Sequence, residues 1–353
     1  MSMSRTPLES LISALRGAPP VDADWFSVFE VANRSWMTPA LFVALRDCGG
    51  LPALPADAGD YLAFIHERNR QRNLLLRGQL VEVIAALNRS GIQPILLKGA
   101  GIIFTAVERD LGARMMSDLD LLVEEAEKPI ADVVLAELGY LAAEGQHGVW
   151  RPQDAGMLEL HGGGAVSAAY GSSIMDAANF SPATYDAARA RLPSSTLRAL
   201  NLIVHDQIKE GDYWRGTLDL RHLHDLAQLA QMPQGIDWLR LAQVMRGRLQ
   251  RNAFETQLLT LRELFEVPIP DGLCRRLVPR GQHWRRMVQI RHPRLAMPLR
   301  FAGAVAWLGR RVRTKTGPRF TATDLVPRVL RKLTQGRREV AEALMGVHLG
   351  PKL

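Results

Sequence analysis

Cysteine is nearly absent. Cys48 and Cys274 are the only two in 353 residues, and they lie far apart. They cannot build a disulfide framework, or a thiolate zinc site on their own, so a reducing, cytoplasmic setting is expected. Long apolar runs are missing too. The opening segment has none of signal-sequence length. No run of about 18 uncharged apolar residues, the length that spans a bilayer, occurs anywhere. The nearest approach, residues 295–308, is interrupted by Arg300. Also missing are a Walker loop, an H-E-x-x-H pair, a G-x-S-x-G elbow, a fixed-period repeat and a low-complexity tract. Those absences exclude a P-loop NTPase, a zincin, a serine hydrolase of the elbow type and a solenoid.

What is present is globular. Hydrophobic residues make up 47% and charged residues 23%, an ordinary balance for folded domains. The length suggests two or three folded units. The net charge is +8, but it is unevenly placed. Residues 275–338 hold 18 Lys and Arg against one acid, Asp324, a local +17 that leaves −9 for the remainder. The chain therefore reads as an acidic protein with a basic C-terminal segment. Its overall basicity does not argue that the front part binds nucleic acid.

Periodicity divides the chain further. Residues 7–15, 24–46 and 60–87 carry apolar residues at helical spacing, with breaks at Pro19-Pro20 and over 51–59. Residues 61–88 read as one long helix or two stacked ones. At Ser90-Gly91 the period changes. Residues 92–99 read as a strand, 99–110 as a helix and 117–125 as an alternating strand. Residues 128–140 read as a helix, with Pro129 in its first turn and Gly139 ending it. Residues 147–152 and 156–163 read as two short strands joined by a turn. From Pro182 onward the spacing predicts helices over 185–191, 194–209, 217–231, 237–248 and 252–264. The expected fold class is α+β: a small mixed sheet with helices, flanked by an N-terminal helical cap and a C-terminal helical bundle. The expected limits are 1–90 for the cap, 91–165 for the α/β core, 166–270 for the bundle and 271–353 for the basic segment.

The informative stretch is Ser117-Asp118-Leu119-Asp120-Leu121-Leu122-Val123. On a strand, Asp118 and Asp120 project from one face and Leu119, Leu121 and Val123 from the other. Two neighbouring carboxylates repel, and an ionised one near a core costs several kcal/mol unless compensated. A hard divalent cation compensates both at once. A third carboxylate, Glu159, sits between Leu158 and Leu160, and His161 shares its face. If the two strands are neighbours, the three acids converge.

Leu97-Lys98-Gly99, Arg114 through Val123, Gly139-Tyr140 and Glu159-Leu160-His161 follow one another in order. Leu202-Ile203-Val204-His205 and His224-Asp225-Leu226 come after them. Over about residues 85–232 this succession resembles the uncharacterised nucleotidyltransferase family of the polymerase-beta-like superfamily. The resemblance implies transfer of a nucleoside monophosphate from an NTP, expected to be AMP from ATP, with release of pyrophosphate. The acceptor would be a hydroxyl or phosphate on a small molecule, peptide, protein or RNA. It also implies Mg²⁺ or Mn²⁺ held by Asp118, Asp120 and Glu159, with Glu159 available to take the acceptor's proton. One departure stands out. The wider superfamily carries Gly-Ser in its phosphate turn, where this chain has Lys98-Gly99-Ala100-Gly101. Small residues there still let backbone N–H groups approach a phosphate, and Lys98 adds a cation.

Other residues fall in line behind these. Arg114 either neutralises triphosphate charge or pairs with a carboxylate. Ser117 either bonds a phosphate or caps a turn. His161 stands beside Glu159, and His205 can meet Asp225 across helices to shape an acceptor or base pocket. His222 and His224 point about 200° apart on a helix and cannot share one metal, whereas His222 and Asp225 share a face. The basic segment, residues 275–338, interleaves Arg with Trp284, Phe301 and Trp307. It suits an anionic membrane surface, RNA, or packing on the core as a solvated helical face. The rival to an enzyme is therefore a catalytically inactive adaptor that keeps the fold and works through this segment.

Overall fold

A computed structural model describes residues 5–142, 148–164 and 172–315. Residue 147 of the expected 147–152 strand, and residues 316–338 of the basic segment, lie outside them. The fold is mixed α+β, as expected, with helices before and after a mixed sheet. It divides into two compact units, residues 1–202 with 224–237, and residues 203–223 with 238–353.

The first unit opens with helices α1 (Pro7–Leu15), α2 (Trp25–Arg34), α3 (Thr38–Asp47) and α4 (Ala56–Arg89). α1 starts at a capping box: Glu9 N–H donates to Thr6 Oγ1 at 3.2 Å, and Thr6 N–H donates to Glu9 Oε2 at 3.0 Å. The helix expected over 24–46 is two helices. Trp36 takes a left-handed φ of +59°, and Pro39 sits in the first turn of the next helix. Over 61–88 the open choice resolves as one helix, since α4 runs unbroken.

The sheet order is β3-β4-β5-β2-β1-β7-β6. The strands are β1 (Ile95–Leu96), β2 (Asp118–Val123), β3 (Leu141–Ala142), β4 (Val149–Trp150), β5 (Met157–Gly162), β6 (Phe180–Tyr185) and β7 (Ala188–Pro193). Helix α5 (Lys98–Thr105) follows β1, and α6 (Lys128–Glu137) follows β2. The core joins Leu80, Ile84 and Leu87 of α4 to Leu119, Leu121 and Leu158 of the sheet.

The expected helix over 185–191 is instead the middle of the β6–β7 hairpin. Ala and Arg are good helix formers, but intrinsic propensity is a weak prior, and strand pairing overrides it here. β7 runs parallel to β1, with Ile95 opposite Arg191, and buries Ala188 and Ala190 at period two. Asp186 takes the left-handed turn position at φ +50°, which Asp tolerates. Pro182 fits because β6 is an edge strand.

Helices α7 (Ser195–Val204) and α9 (Leu220–Gln231) contribute residues to both units. The second unit also holds a π-helical turn (His205–Lys209), α8 (Asp212–Arg215), α10 (Trp238–Val244), α11 (Arg248–Phe265), α12 (Leu277–Arg291) and α13 (Pro293–Lys315). At its centre Arg286 is fully buried and donates to Gln257 Oε1, Thr260 Oγ1 and Gln207 Oε1. Burial pushes its guanidinium down to about 10. Among the described residues no helix is long and apolar enough to cross a membrane.

Candidate active site

β2 and β5 run parallel, and their register fixes the site. Asp118 lies opposite Met157, Asp120 opposite Glu159, and Leu122 opposite His161. Leu119, Leu121 and Leu158 point into the core, so the acids share the other face. Asp120 is only 2% exposed. A carboxylate so buried must be compensated if it is to stay ionised.

Two side chains compensate it. Lys98 Nζ lies 2.9 Å from Asp120 Oδ1, and His161 Nε2 lies 3.1 Å from the same oxygen. Burial pushes the Asp120 carboxyl up, but His161 and Lys98 together hold it below the ordinary carboxylate value. Burial likewise pushes the Lys98 ammonium down, and Asp120, followed by Asp118 and Glu159, holds it above its ordinary value.

The backbone aims Lys98 at this position. β1 is antiparallel to β2, and Leu97 N–H donates to the Asp120 carbonyl at 3.0 Å. The next residue is Lys98, at φ +43° in the left-handed region. That conformation costs a non-glycine residue roughly 1–2 kcal/mol. The chain then turns directly into α5, whose first turn has no side-chain cap. Gly99 packs tightly: a Cβ there would come within 2.7 Å of the Met116 sulfur.

Helix α4 holds the loop that leads into β2. Asn69 Nδ2 donates to the carbonyls of Gly112 and Arg114, and Asn73 Nδ2 to those of Leu111 and Arg114. Arg72 donates to the carbonyls of Met116 and Ala155. Burial pushes the Arg72 guanidinium down, and Asp118 opposes that push. Ser117 Oγ donates to Asp118 Oδ1 at 3.0 Å. Sequence reasoning passed over Asn69, Arg72 and Asn73. Their signal was a run of polar residues at helical spacing on a face that is otherwise apolar.

Arg114 pairs with Asp225 of α9, Nη2 lying 2.7 Å from Oδ2 and Nε 3.0 Å from the same oxygen. Both side chains are 12% exposed. Half-buried Arg198 of α7 stands in the same electrostatic neighbourhood. Burial pushes its guanidinium down, Asp225 holds it up, and Arg114 adds to the downward push. Asp225 is thus engaged by an arginine, and His205 by its neighbour Asp206, Nδ1 lying 3.0 Å from Oδ1. The two residues fall in different compact units.

Asp120, Glu159 and His161 each turn a ligand atom to within 4.8 Å of the others. Asp118 lies outside that set, two residues along the same face. These residues fit a divalent cation. A buried carboxylate already requires positive charge, a second carboxylate lies directly opposite it, and hard oxygen donors suit Mg²⁺ or Mn²⁺.

No curated protein and no solved structure matches the chain significantly. The model of the uncharacterised nucleotidyltransferase family does, over residues 21–266, from the second helix through the end of α11. That span takes in the whole sheet, the acidic face and the arginine–aspartate pair behind it, and the chain belongs to the uncharacterised nucleotidyltransferase family.

Proposed function

We propose that the chain moves a nucleoside monophosphate, AMP from ATP, onto a hydroxyl or phosphate acceptor at the acidic face of β2 and β5. The observation that carries this reading is the pairing of Asp120 with Glu159 across neighbouring strands, with Lys98 on the buried carboxylate. The acceptor oxygen forms a bond to the α-phosphorus, the bond from that phosphorus to pyrophosphate breaks, and the acceptor's proton leaves for a base.

Asp118, Asp120 and Glu159 would hold Mg²⁺ or Mn²⁺. When bound, the ion neutralises triphosphate charge and stabilises the attacking and leaving oxygens. The side chains do the rest. Glu159, less buried than Asp120, accepts the acceptor's proton, and His161 Nε2, 3.6 Å from Glu159 Oε2, steadies the resulting acid. Lys98, tethered by four methylenes, exchanges Asp120 for a phosphate oxygen. The uncapped first turn of α5 offers its N–H groups to the same phosphates. Arg114 keeps the loop in place through Asp225.

The test is pyrophosphate release from each labelled NTP with Mg²⁺, with and without lysate fractions as the source of acceptor. Release should vanish in Asp118→Ala and Asp120→Asn, whose circular dichroism stays native, and on treatment with EDTA. Undiminished release from both variants overturns the assignment.

A second reading rests on a different observation. α12 exposes Leu277 at 82% and Trp284 at 68%, and α13 exposes Met297 and Phe301, all among arginines. Such a surface suits an anionic membrane or RNA. Salt-sensitive binding to anionic vesicles or to RNA, without NTP turnover under any condition, would favour this adaptor role.

A further inference from the structure

The second unit contains a polar cluster that nucleotidyl transfer does not use. The π-helical turn places His205 and Asp206 side by side at the end of α7, and α9 brings in His222 near its start. Both imidazoles converge on one oxygen. His205 Nδ1 lies 3.0 Å and His222 Nδ1 2.7 Å from Asp206 Oδ1. The ligand atoms of all three side chains lie within 4.8 Å of one another. The two rings meet edge to face with centroids 5.6 Å apart.

Hydrogen bonding among the three does not satisfy the cluster. Asp206 is 2% exposed, and its second oxygen, Oδ2, is buried with no hydrogen-bond partner. A buried carboxylate oxygen left unpaired costs about 1–3 kcal/mol or more. The acids around it are themselves paired, Asp219 with Arg221 at 2.9 Å and Asp212 with Arg215 at 3.1 Å. Asp219 Oδ2 lies 3.8 Å from His222 Nδ1. Nearby Asp212 has its carboxyl pushed up to about 6, by burial and then by the charge of Asp206. The far nitrogen of His205 also has an acceptor waiting, with Nε2 3.9 Å from Glu210 Oε1. Metal-binding histidines characteristically donate their outer N–H to a carboxylate; here the 3.9 Å separation is in electrostatic range and short of a hydrogen bond.

We propose that His205 Nδ1, the Asp206 carboxylate and His222 Nδ1 form a binding site for a divalent ion of the zinc class. Imidazole nitrogens with one carboxylate are a borderline donor set, matched to Zn²⁺ rather than to the harder Mg²⁺ of an all-oxygen site. Three protein ligands leave a fourth position, which partly exposed His205 keeps within reach of solvent. The ion gives Asp206 Oδ2 its partner. It also pins the π-helical turn to the start of α9, two segments 16 residues apart.

The test uses the full chain freed of metal by a chelator and titrated with Co²⁺, which absorbs strongly in the visible when imidazoles bind it at low coordination number. One equivalent should bind and be displaced by Zn²⁺. The signal should disappear in His222→Ala and in His205→Ala, the second variant serving where the more buried histidine disrupts folding. It should persist in His161→Ala, which removes the imidazole of the acidic face. Three results overturn the proposal: no saturable signal with Co²⁺ or Zn²⁺, a signal indifferent to both His205→Ala and His222→Ala, or one that disappears only in His161→Ala.

Discussion

Lys98 and Asp120 form an ion pair at 2.9 Å between side chains that are 17% and 3% exposed. The pair joins the turn after β1 to the middle strand of the sheet, so one contact serves both the fold and the proposed chemistry. Removing one member leaves the other charged in a place with little water, and breaking a buried pair in this way costs roughly 3–5 kcal/mol. Lys98→Met should lower stability by about 3 kcal/mol, the low end because His161 stays on Asp120. Urea denaturation measures the loss, and pyrophosphate release should fall with it. A variant of unchanged stability would show that the pair contributes nothing net.

The same pair sets an acid limit. Asp120 has a folded pKa below its ordinary value of 3.8, despite burial, because His161 and Lys98 favour the ionised form. Its stabilisation is therefore present above about pH 4 and is lost as pH falls through the folded pKa. In Lys98→Met that loss should begin at higher pH, which a series of thermal melts from pH 3 to 6 would read.

Three histidines act in the same sense at higher pH. Burial pushes His66, His224 and His283 below the ordinary 6.5. Each takes up a proton more readily unfolded than folded, so stability is full above pH 6.5 and falls as pH drops below it. His66 Nε2 is buried without a hydrogen-bond partner, and its ring packs on Phe42 at 4.7 Å. His66→Phe should flatten the stability profile between pH 5 and 7. An unchanged slope would assign the dependence elsewhere.

Gly112 lies where α4 meets the loop that leads into β2. A Cβ there would come within 2.7 Å of the His66 carbonyl, and backbone yields little. Gly112→Ala should cost about 1–3 kcal/mol as an overpacked contact. It should also displace the loop bearing Arg114 and Ser117, so kcat should fall more than the folded fraction accounts for. Parallel loss of fold and rate would limit the loop to a structural role.

Arg114 meets Asp225 through two nitrogens, a geometry lysine cannot copy. Arg114→Lys should lower stability by about 1–2 kcal/mol, less than for a fully desolvated pair. Asp225→Asn should weaken the same contact, and the two changes combined should cost less than their sum. Strict additivity would show that the pair is not coupled.

Local sequence made the acidic face legible, because alternation in Asp118–Val123 assigns each side chain to a face without any tertiary knowledge. Parallel pairing then placed Glu159 opposite Asp120, which no single strand could announce. Lys98 was visible as a cation in a glycine-rich turn, whereas its grip on Asp120 depends on the left-handed turn after β1. The β6–β7 hairpin was hidden because Ala188-Arg189-Ala190-Arg191 is built of good helix formers, a preference that pairing with β6 and β1 overrides. His222 was read by its position on one helix, and its actual partners, His205 and Asp206, come from a π-helical turn that shifts side-chain directions away from regular spacing.

β2 is the fourth of seven strands, flanked by β5 and β1. Slipping it by a single residue would drive Asp118 and Asp120 in among the leucines and turn Leu119 and Leu121 outward. No half-assembled version of the acidic face is therefore compatible with a packed interior. Molecules that fold at all carry the carboxylates on the correct face, so a preparation destabilised at a position remote from the β2 loop should contain fewer working copies, each with undiminished turnover, rather than a full complement of sluggish ones.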